Sequence, residues 1–279
     1  MKNLVLLVNK PKDYTSRDVV NKLSKILGTK KIGHTGTLDP MATGVLVCLT
    51  GKYTKLVDMI TSFEKEYIAT IKLGVKTDTL DITGTVIEEN LNYNITNEKI
   101  IKVLNSFKGK SNQTVPLYSA VHVDGKRLYE YARDGIEVEL PKREIFINDI
   151  ELLEFNNGLI KFRVVVSKGT YIRSLIEDIC NRLGVLGTMS ELIRSKQGIF
   201  NLENSYILED IENNNYKPLT LEDVLKLEIV ELNDTLYKKV INGNKLELNY
   251  NEYVLFKKAG IDIALYYFEN NLGRLKILF

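Results

Sequence analysis

The stretch that decides how this chain is read is Gly33-His34-Thr35-Gly36-Thr37-Leu38-Asp39-Pro40-Met41-Ala42-Thr43-Gly44. It sets a single carboxylate in a loop between glycines, which accept unusual dihedrals and let other groups approach the backbone closely. Loops of this kind often carry sites. The residues by themselves admit more than one reading. A P-loop needs GxxxxGK[ST], and no spacing here delivers the lysine. Taken alone, Asp39 before Pro40 also reads as a turn residue hydrogen-bonding its own backbone.

Outward from the loop, the chain alternates short apolar runs with turn signals. LVLLVNKP reads as a buried strand ending at Pro11, and Ser16 is placed to cap a helix whose apolar face is Val19, Val20, Leu23, Ile26 and Leu27, stopped by Gly28. VLVCL after the loop reads as a second buried strand, Glu64–Val75 as β-rich, and TGTVIEE as its antiparallel partner after a turn. Asn97–Phe107 has helical spacing at Ile100, Ile101 and Leu104, and RLYEYARDG is a short amphipathic helix closed by Gly135. Strands around Ile145–Ile150 and Leu159–Val166 precede a strong helix at Thr170–Leu183, with Leu175, Ile176, Ile179 and Leu183 as its stripe and Gly184 as its stop. Beyond about Lys226 the runs EYVLFKK, IDIALYYF and RLKILF predict a small β-rich appended unit.

Composition narrows the function. Of 279 residues, 44% are hydrophobic and 27% charged, which suits a folded globular chain. Apolar runs such as Leu4–Val8 and Val45–Leu49 fall far short of the ~20 residues that span a bilayer. The first residues lack the apolar length and cleavage site of a signal peptide, so the expectation is a cytoplasmic protein. Cys48 and Cys180 are solitary and read as buried small hydrophobes. With only His34 and His122 present, most histidine-based metal clusters are excluded. The net charge of +2 conceals a gradient: residues 201–279 carry −4, residues 1–200 carry +6, and residues 1–55 alone carry +7. Such an excess suits a polyanionic partner, although Lys22, Lys25, Lys30 and Lys31 read equally as the solvated face of a helix and its exit.

The loop admits one further comparison. Its TGTL is similar to the aspartyl-phosphate loop of haloacid-dehalogenase-like enzymes, but the nucleophilic Asp of that loop would fall at Gly33. The whole segment instead resembles the GHxGxLDPxATG motif of the TruB-type tRNA pseudouridine synthases, the bacterial pseudouridine-55 synthases, and every fixed position is present. The resemblance continues in order over about residues 4–200 through Asn9-Lys10-Pro11 with Thr15-Ser16, EKEY (64–67), LGVKTDTLDITG (73–84), PLYSAVHVDGKRLYEYARDG, SKGTYIRSL and Leu192-x-Arg194-x-x-x-Gly198. One position departs from it: the family usually has Gly where this chain has Asp13, a residue that tolerates the left-handed conformation better than most.

The resemblance implies an α+β pseudouridine synthase fold with a mixed, largely antiparallel central sheet flanked by helices and loops. It implies a catalytic domain over 1–228 with an RNA-clasping insertion at about 118–149, and a small PUA-like domain over 229–279 whose acidity leaves its part in RNA binding open. The implied reaction converts uridine 55 in the T loop of tRNA to pseudouridine. An isomerisation of this kind needs no cofactor, metal or small-molecule partner. Asp39 matches the catalytic aspartate, with its attack at C1′ or C6 left open. Arg173 matches the arginine paired with it, since a guanidinium favours the ionised carboxylate. Tyr67 matches the active-site tyrosine, placed to stack on the extruded base. Leu192 matches an apolar residue of the base pocket, and His34 the motif histidine at the flipped nucleotide. Lys10, Lys30, Lys31, Lys126, Arg127 and Arg133 are expected phosphate contacts. A monomer bound to the tRNA elbow is expected. Two other readings stay open at this stage: a non-catalytic protein that remodels tRNA, and a synthase for another RNA.

Overall fold

The structure, a computed structural model, describes residues 3–225, 227–250 and 252–279. The residue near which the appended unit was expected to begin, Lys226, therefore lies outside those described. In chain order the larger part runs β1 (Val5–Lys10), α1 (Ser16–Ile26), β2 (Ile32–His34), β3 (Thr43–Thr50), β4 (Lys65–Leu73), α2 (Asn97–Asn105), β5 (Gly109–Thr114), α3 (Leu128–Asp134), β6 (Lys142–Asn156), β7 (Leu159–Val166), α4 (Ile172–Leu183) and β8 (Gly187–Gln197).

β1 and β3 pair antiparallel from Val5↔Leu49 to Lys10↔Gly44. Both are buried on two faces, which is why each reads as a continuous apolar run. One face packs Leu6, Val8, Leu46 and Cys48 against Val19 and Leu23 of α1. The other packs Val5, Leu7, Val45, Val47 and Leu49 toward the C-terminal sheet. The sheet continues β1-β3-β8-β4-β7-β6-β5, with β2 added on β3 and Phe200–Asn201 on β8. Only β8 against β3 is parallel, at Ile193↔Thr43 and Arg194↔Gly44. The expected mixed, largely antiparallel sheet is the one observed.

α4 lays Leu175, Ile176, Ile179 and Leu183 on the β4–β7–β6 side of the sheet and ends at Gly184 with φ +74°. On α2 the buried residues are Ile100, Val103 and Leu104, whereas Ile101 faces solvent. Val103 and Leu104 lie three and four residues from Ile100 and so share its face, and Ile101 does not. Ser16, expected as the α1 cap, is instead its first residue. Thr15 caps, its hydroxyl accepting from the Asp18 N–H at 3.0 Å while the Asp18 carboxylate accepts from the Thr15 N–H at 2.9 Å. That reciprocal box satisfies two orphan donors and frees the Ser16 hydroxyl for another partner. Val86–Glu89 pairs with Val75–Thr77 in a separate hairpin, so the partners of β4 are β7 and β8. Residues 115–141 leave the sheet between β5 and β6 as a small hairpin plus α3, while residues 142–149, expected within the insertion, lie in β6.

The C-terminal part runs β9 (Glu228–Glu231), α5 (Asp234–Ile241), β10 (Leu246–Glu247), β11 (Glu252–Lys258), β12 (Ile261–Glu269) and β13 (Leu272–Leu278), with sheet order β9-β11-β12-β13-β10. β9 is parallel to β11 and the other pairs are antiparallel. Bulges in two of these pairs bend the sheet. One face encloses Val254, Phe256, Tyr266 and Phe268, and Leu255, Leu265 and Ile277 pack from the opposite face into the cluster containing β1 and β3. Cys48 and Cys180 are free and buried, and burial pushes both thiols up to about 12. No helix among the described residues is long and apolar enough to cross a membrane.

Candidate active site

The loop between β2 and β3 makes little regular structure of its own, so its shape comes from what grips it. Gln197 of β8 donates to the Thr35 hydroxyl at 2.7 Å and to its carbonyl at 3.2 Å. Arg194, also on β8, donates through Nη2 to the Gly36 carbonyl at 3.2 Å and through Nε to Val45 O at 2.6 Å. The freed Ser16 hydroxyl accepts from the Leu38 N–H at 2.9 Å. The Pro40 carbonyl accepts from Lys10 Nζ at 3.0 Å and from the Asp13 N–H at 2.8 Å. Asp13 sits at φ +65°, the conformation for which the related motif uses glycine. Leu38, Met41 and Ala42 are buried on either side, which leaves Asp39 as the charged side chain that the loop presents to the cleft, beside Thr37. Gly44 closes the loop at φ +109°, where a Cβ would lie 2.3 Å from Arg194 O, so the parallel crossing of β3 and β8 requires glycine there.

Arg173, in the first turn of α4, meets Asp39 in a two-pronged pair. Nε donates to Oδ2 at 2.9 Å and Nη2 to Oδ1 at 3.0 Å. The same guanidinium donates to Thr79 O at 3.3 Å and Tyr118 O at 3.1 Å. A planar fork with five donors suits such a role: Arg173 ties the aspartate loop, the 79–84 turn and the 115–141 excursion to one helix start. The turn is itself held by Asp81, whose carboxylate accepts from the Thr79 hydroxyl and the Thr83 N–H, each at 3.0 Å.

Asp39 and Arg173 face a cleft of about 400 Å³. Tyr67 of β4 and Leu192 of β8 line it, and Tyr67 and Arg194 are direct cross-strand partners. Tyr118 and Tyr129 from the excursion, Tyr171, Lys65 and Lys168 complete much of the wall. Among the described residues no three His, Cys, Asp or Glu side chains group as metal ligands would. The cleft therefore offers one oriented carboxylate, an aromatic and an aliphatic surface fit for a planar ring, and several cations.

Of the residues read from sequence, Asp39, Arg173, Tyr67 and Leu192 meet in this cleft. Lys10 does not. Expected as a phosphate contact, it is fully buried and its ammonium is spent on the carbonyls of Pro11, Tyr14 and Pro40, with burial pulling it down to about 8. It is a clamp on the loop. His34 is half-buried at the end of β2 and does not line the cleft; its Nδ1 accepts from the Gly36 N–H at 3.3 Å, and burial lowers its pKa. Lys30 and Lys31 are exposed between α1 and β2. Arg127 and Arg133 are exposed and lie 5.8 and 5.2 Å from the ring centre of Tyr129, which places them at the cleft's rim. Lys126 lies over Tyr131 and pairs with Asp134. Sequence reasoning did not assign Lys65, Tyr118, Tyr129, Tyr171 or Arg194 to the site, although each falls inside or beside a quoted block. Nor did it assign Ser16 to the loop, because a serine ahead of an apolar helix already has an obvious use.

Known proteins resemble this chain in sequence and in fold. The model of the TruB family pseudouridylate synthase N-terminal domain matches residues 24–172. A tRNA pseudouridine synthase B from Clostridium tetani is 47% identical over 248 residues, covering 88% of this chain and 86% of its own. Another, from Caldanaerobacter subterraneus subsp. tengcongensis, is 41% identical over 280 residues, covering 99% of this chain and 98% of its own. A solved H/ACA RNP bound to a substrate RNA containing 2'-deoxyuridine superposes with a TM-score of 0.70 at 26% identity, covering 98% of this chain and 83% of that one.

Proposed function

This chain belongs to the TruB family of pseudouridylate synthases, and on that premise we propose that it isomerises uridine 55 in the T loop of tRNA, with Asp39 as the nucleophile. The observation that carries the residue assignment is the two-pronged Asp39–Arg173 pair facing a cleft lined by Tyr67 and Leu192. A T-loop uridine is stacked within the folded elbow, so it enters the cleft by flipping, at an unstacking cost of a few kcal/mol. Tyr67 and Leu192 offer surfaces for the ring. Arg173 holds both carboxylate oxygens, fixing the direction from which Asp39 attacks and avoiding reorganisation at the moment of reaction. The bond from N1 to C1′ breaks, the base turns while held, C5 joins C1′, and the C5 proton departs as N1 gains one.

Arg127 and Arg133 at the rim, together with Lys30 and Lys31, are suited to phosphates. The excursion at 115–141 acts as a clasp, and residues 1–228 and 229–279 serve as catalytic and accessory RNA-binding units. A cytoplasmic monomer completes the reading.

The test is tritium release from unmodified tRNA labelled at uridine C5, comparing wild type with Asp39→Asn, which is nearly isosteric but a poor nucleophile. Release by wild type alone, with tRNA affinity retained in the variant, is the expected result. Substantial release by the variant removes Asp39 from its role, and tight binding without release by wild type replaces catalysis with RNA remodelling or another substrate.

A further inference from the structure

Lys65 has no part in the roles assigned above, yet it lines the cleft. It stands two residues before Tyr67 on β4, so both side chains project from the same face of the strand. It is 6% exposed. Its ammonium donates to Thr61 O at 2.5 Å and to Phe63 O at 2.6 Å. An ammonium has three N–H donors, so one remains without a protein acceptor among the described residues, and no carboxylate there forms an ion pair with it. Burial lowers its pKa to about 8, with Arg194 and Lys168 adding repulsion. A buried cation without a counter-charge is costly unless something else compensates it, and here the open space beside it is the cleft.

The reaction proposed above generates an anion in that cleft. Attack by Asp39 at C1′ breaks the N1–C1′ bond with both electrons left on N1, delocalised to O2 and O4. Attack at C6 instead places the pair on the C4–O4 enolate. Either way the carboxylate's negative charge passes to the pyrimidine: in the first route it returns to Asp39 as C5 displaces the carboxylate from C1′, and in the second the N1–C1′ bond breaks, C5 joins C1′, and the charge returns when N1 expels Asp39 from C6. The phosphates of a flipped nucleotide stay toward solvent, where the exposed Lys168 lines the cleft, whereas Lys65 lies within, beside the tyrosine. We propose that Lys65 is a further catalytic residue of this chain, donating its third N–H to a carbonyl oxygen of the departing uracil. It keeps its proton throughout and acts as a preorganised donor to charge that exists only after bond breaking begins. The inference rests on the isomerase reading.

The experiment compares wild type, Lys65→Met and Lys65→Arg in single-turnover reactions at saturating enzyme. The substrates are tRNA with uridine at the target position, read by tritium release, and tRNA with 5-fluorouridine there, read by chromatography of the digested RNA. Fluorine stabilises the uracil anion, so 5-fluorouridine depends less on a donor to it. Loss of one such donor costs about 10²–10³-fold in rate. That loss is expected for Lys65→Met on uridine, with a smaller one on 5-fluorouridine, partial recovery in Lys65→Arg and little change in tRNA affinity. Equal losses on both substrates would reduce Lys65 to a structural role. Weakened tRNA binding with an unchanged rate once bound would make its ligand a phosphate. Absence of turnover in wild type would instead overturn the isomerase reading itself.

Discussion

Replacing Ser16 by alanine separates the geometry of the aspartate loop from everything else in the site. The serine hydroxyl accepts from the Leu38 N–H at 2.9 Å, and Ser16 and Leu38 are 2% and 3% exposed. Water cannot readily take over that bond, and the loss of one oxygen leaves too little room to admit it. The helix is unaffected in its start, because Thr15 and Asp18 form its cap and alanine is a good helix former. The cost is therefore that of a buried, unsatisfied N–H, about 1–3 kcal/mol. The loop can relieve part of this by shifting Leu38, and Asp39 is the next residue. A displacement on the order of 1 Å in a reacting group costs up to about 100-fold in rate. The assays are urea unfolding for stability and single-turnover tritium release for rate, with tRNA affinity measured alongside. The expected outcome is a stability loss in the stated range, a rate loss of about 10–100-fold and unchanged affinity. If stability falls by this amount while the single-turnover rate stays within twofold of wild type, the remaining clamps hold Asp39 without Ser16 and the positioning argument is wrong.

Arg173→Lys keeps the charge but loses the fork that grips both Asp39 oxygens; the single-turnover rate should fall about 100-fold or more with tRNA affinity retained, and a rate within threefold of wild type would contradict the alignment role. Gly44→Ala forces a Cβ to 2.3 Å from Arg194 O at φ +109°, and should cost about 3–5 kcal/mol in urea unfolding, so a variant as stable as wild type would refute the close β3–β8 crossing. Lys10 and Lys65 release their protons at about 8 instead of 10.5 because burial disfavours the ammonium. The unfolded chain then holds more protons between these values, so these two groups make stability rise with pH from about 8 to about 10.5. Urea midpoints across that range should climb more for wild type than for Lys10→Met/Lys65→Met, and parallel profiles would contradict the assigned shifts.

The residues that act through local chemistry were legible in the sequence. The buried strands β1 and β3, the helix ending at Gly184 and the alternation in the C-terminal strands follow from periodicity and turn residues, which are properties of neighbours in the chain. The Gly33–Gly44 loop was legible through its resemblance to the GHxGxLDPxATG motif, which lies within a dozen neighbouring residues and implies Asp39 as the nucleophile; its residues alone left a turn reading open. What the sequence could not display was β8, a central strand of the larger sheet. Its buried positions include Thr188, Arg194 and Gln197, which look like surface residues, and irregularities at Met189/Glu191 and Arg194/Lys196 break the two-residue alternation by which a strand is recognised. Arg194 and Gln197 are buried because their partners, the carbonyls of Thr35, Gly36 and Val45, arrive from about 150 residues away, and Thr188 because it meets the Thr77 hydroxyl. Lys10 was misread by the same route, since a lysine's charge is visible in the sequence but the three carbonyls that consume it are not. In the sequence it was the resemblance to a motif that pointed to Asp39 as the carboxylate. Only the tertiary structure decided which cations face the cleft and which hold the loop, because that depends on hydrogen-bond partners brought together by the sheet.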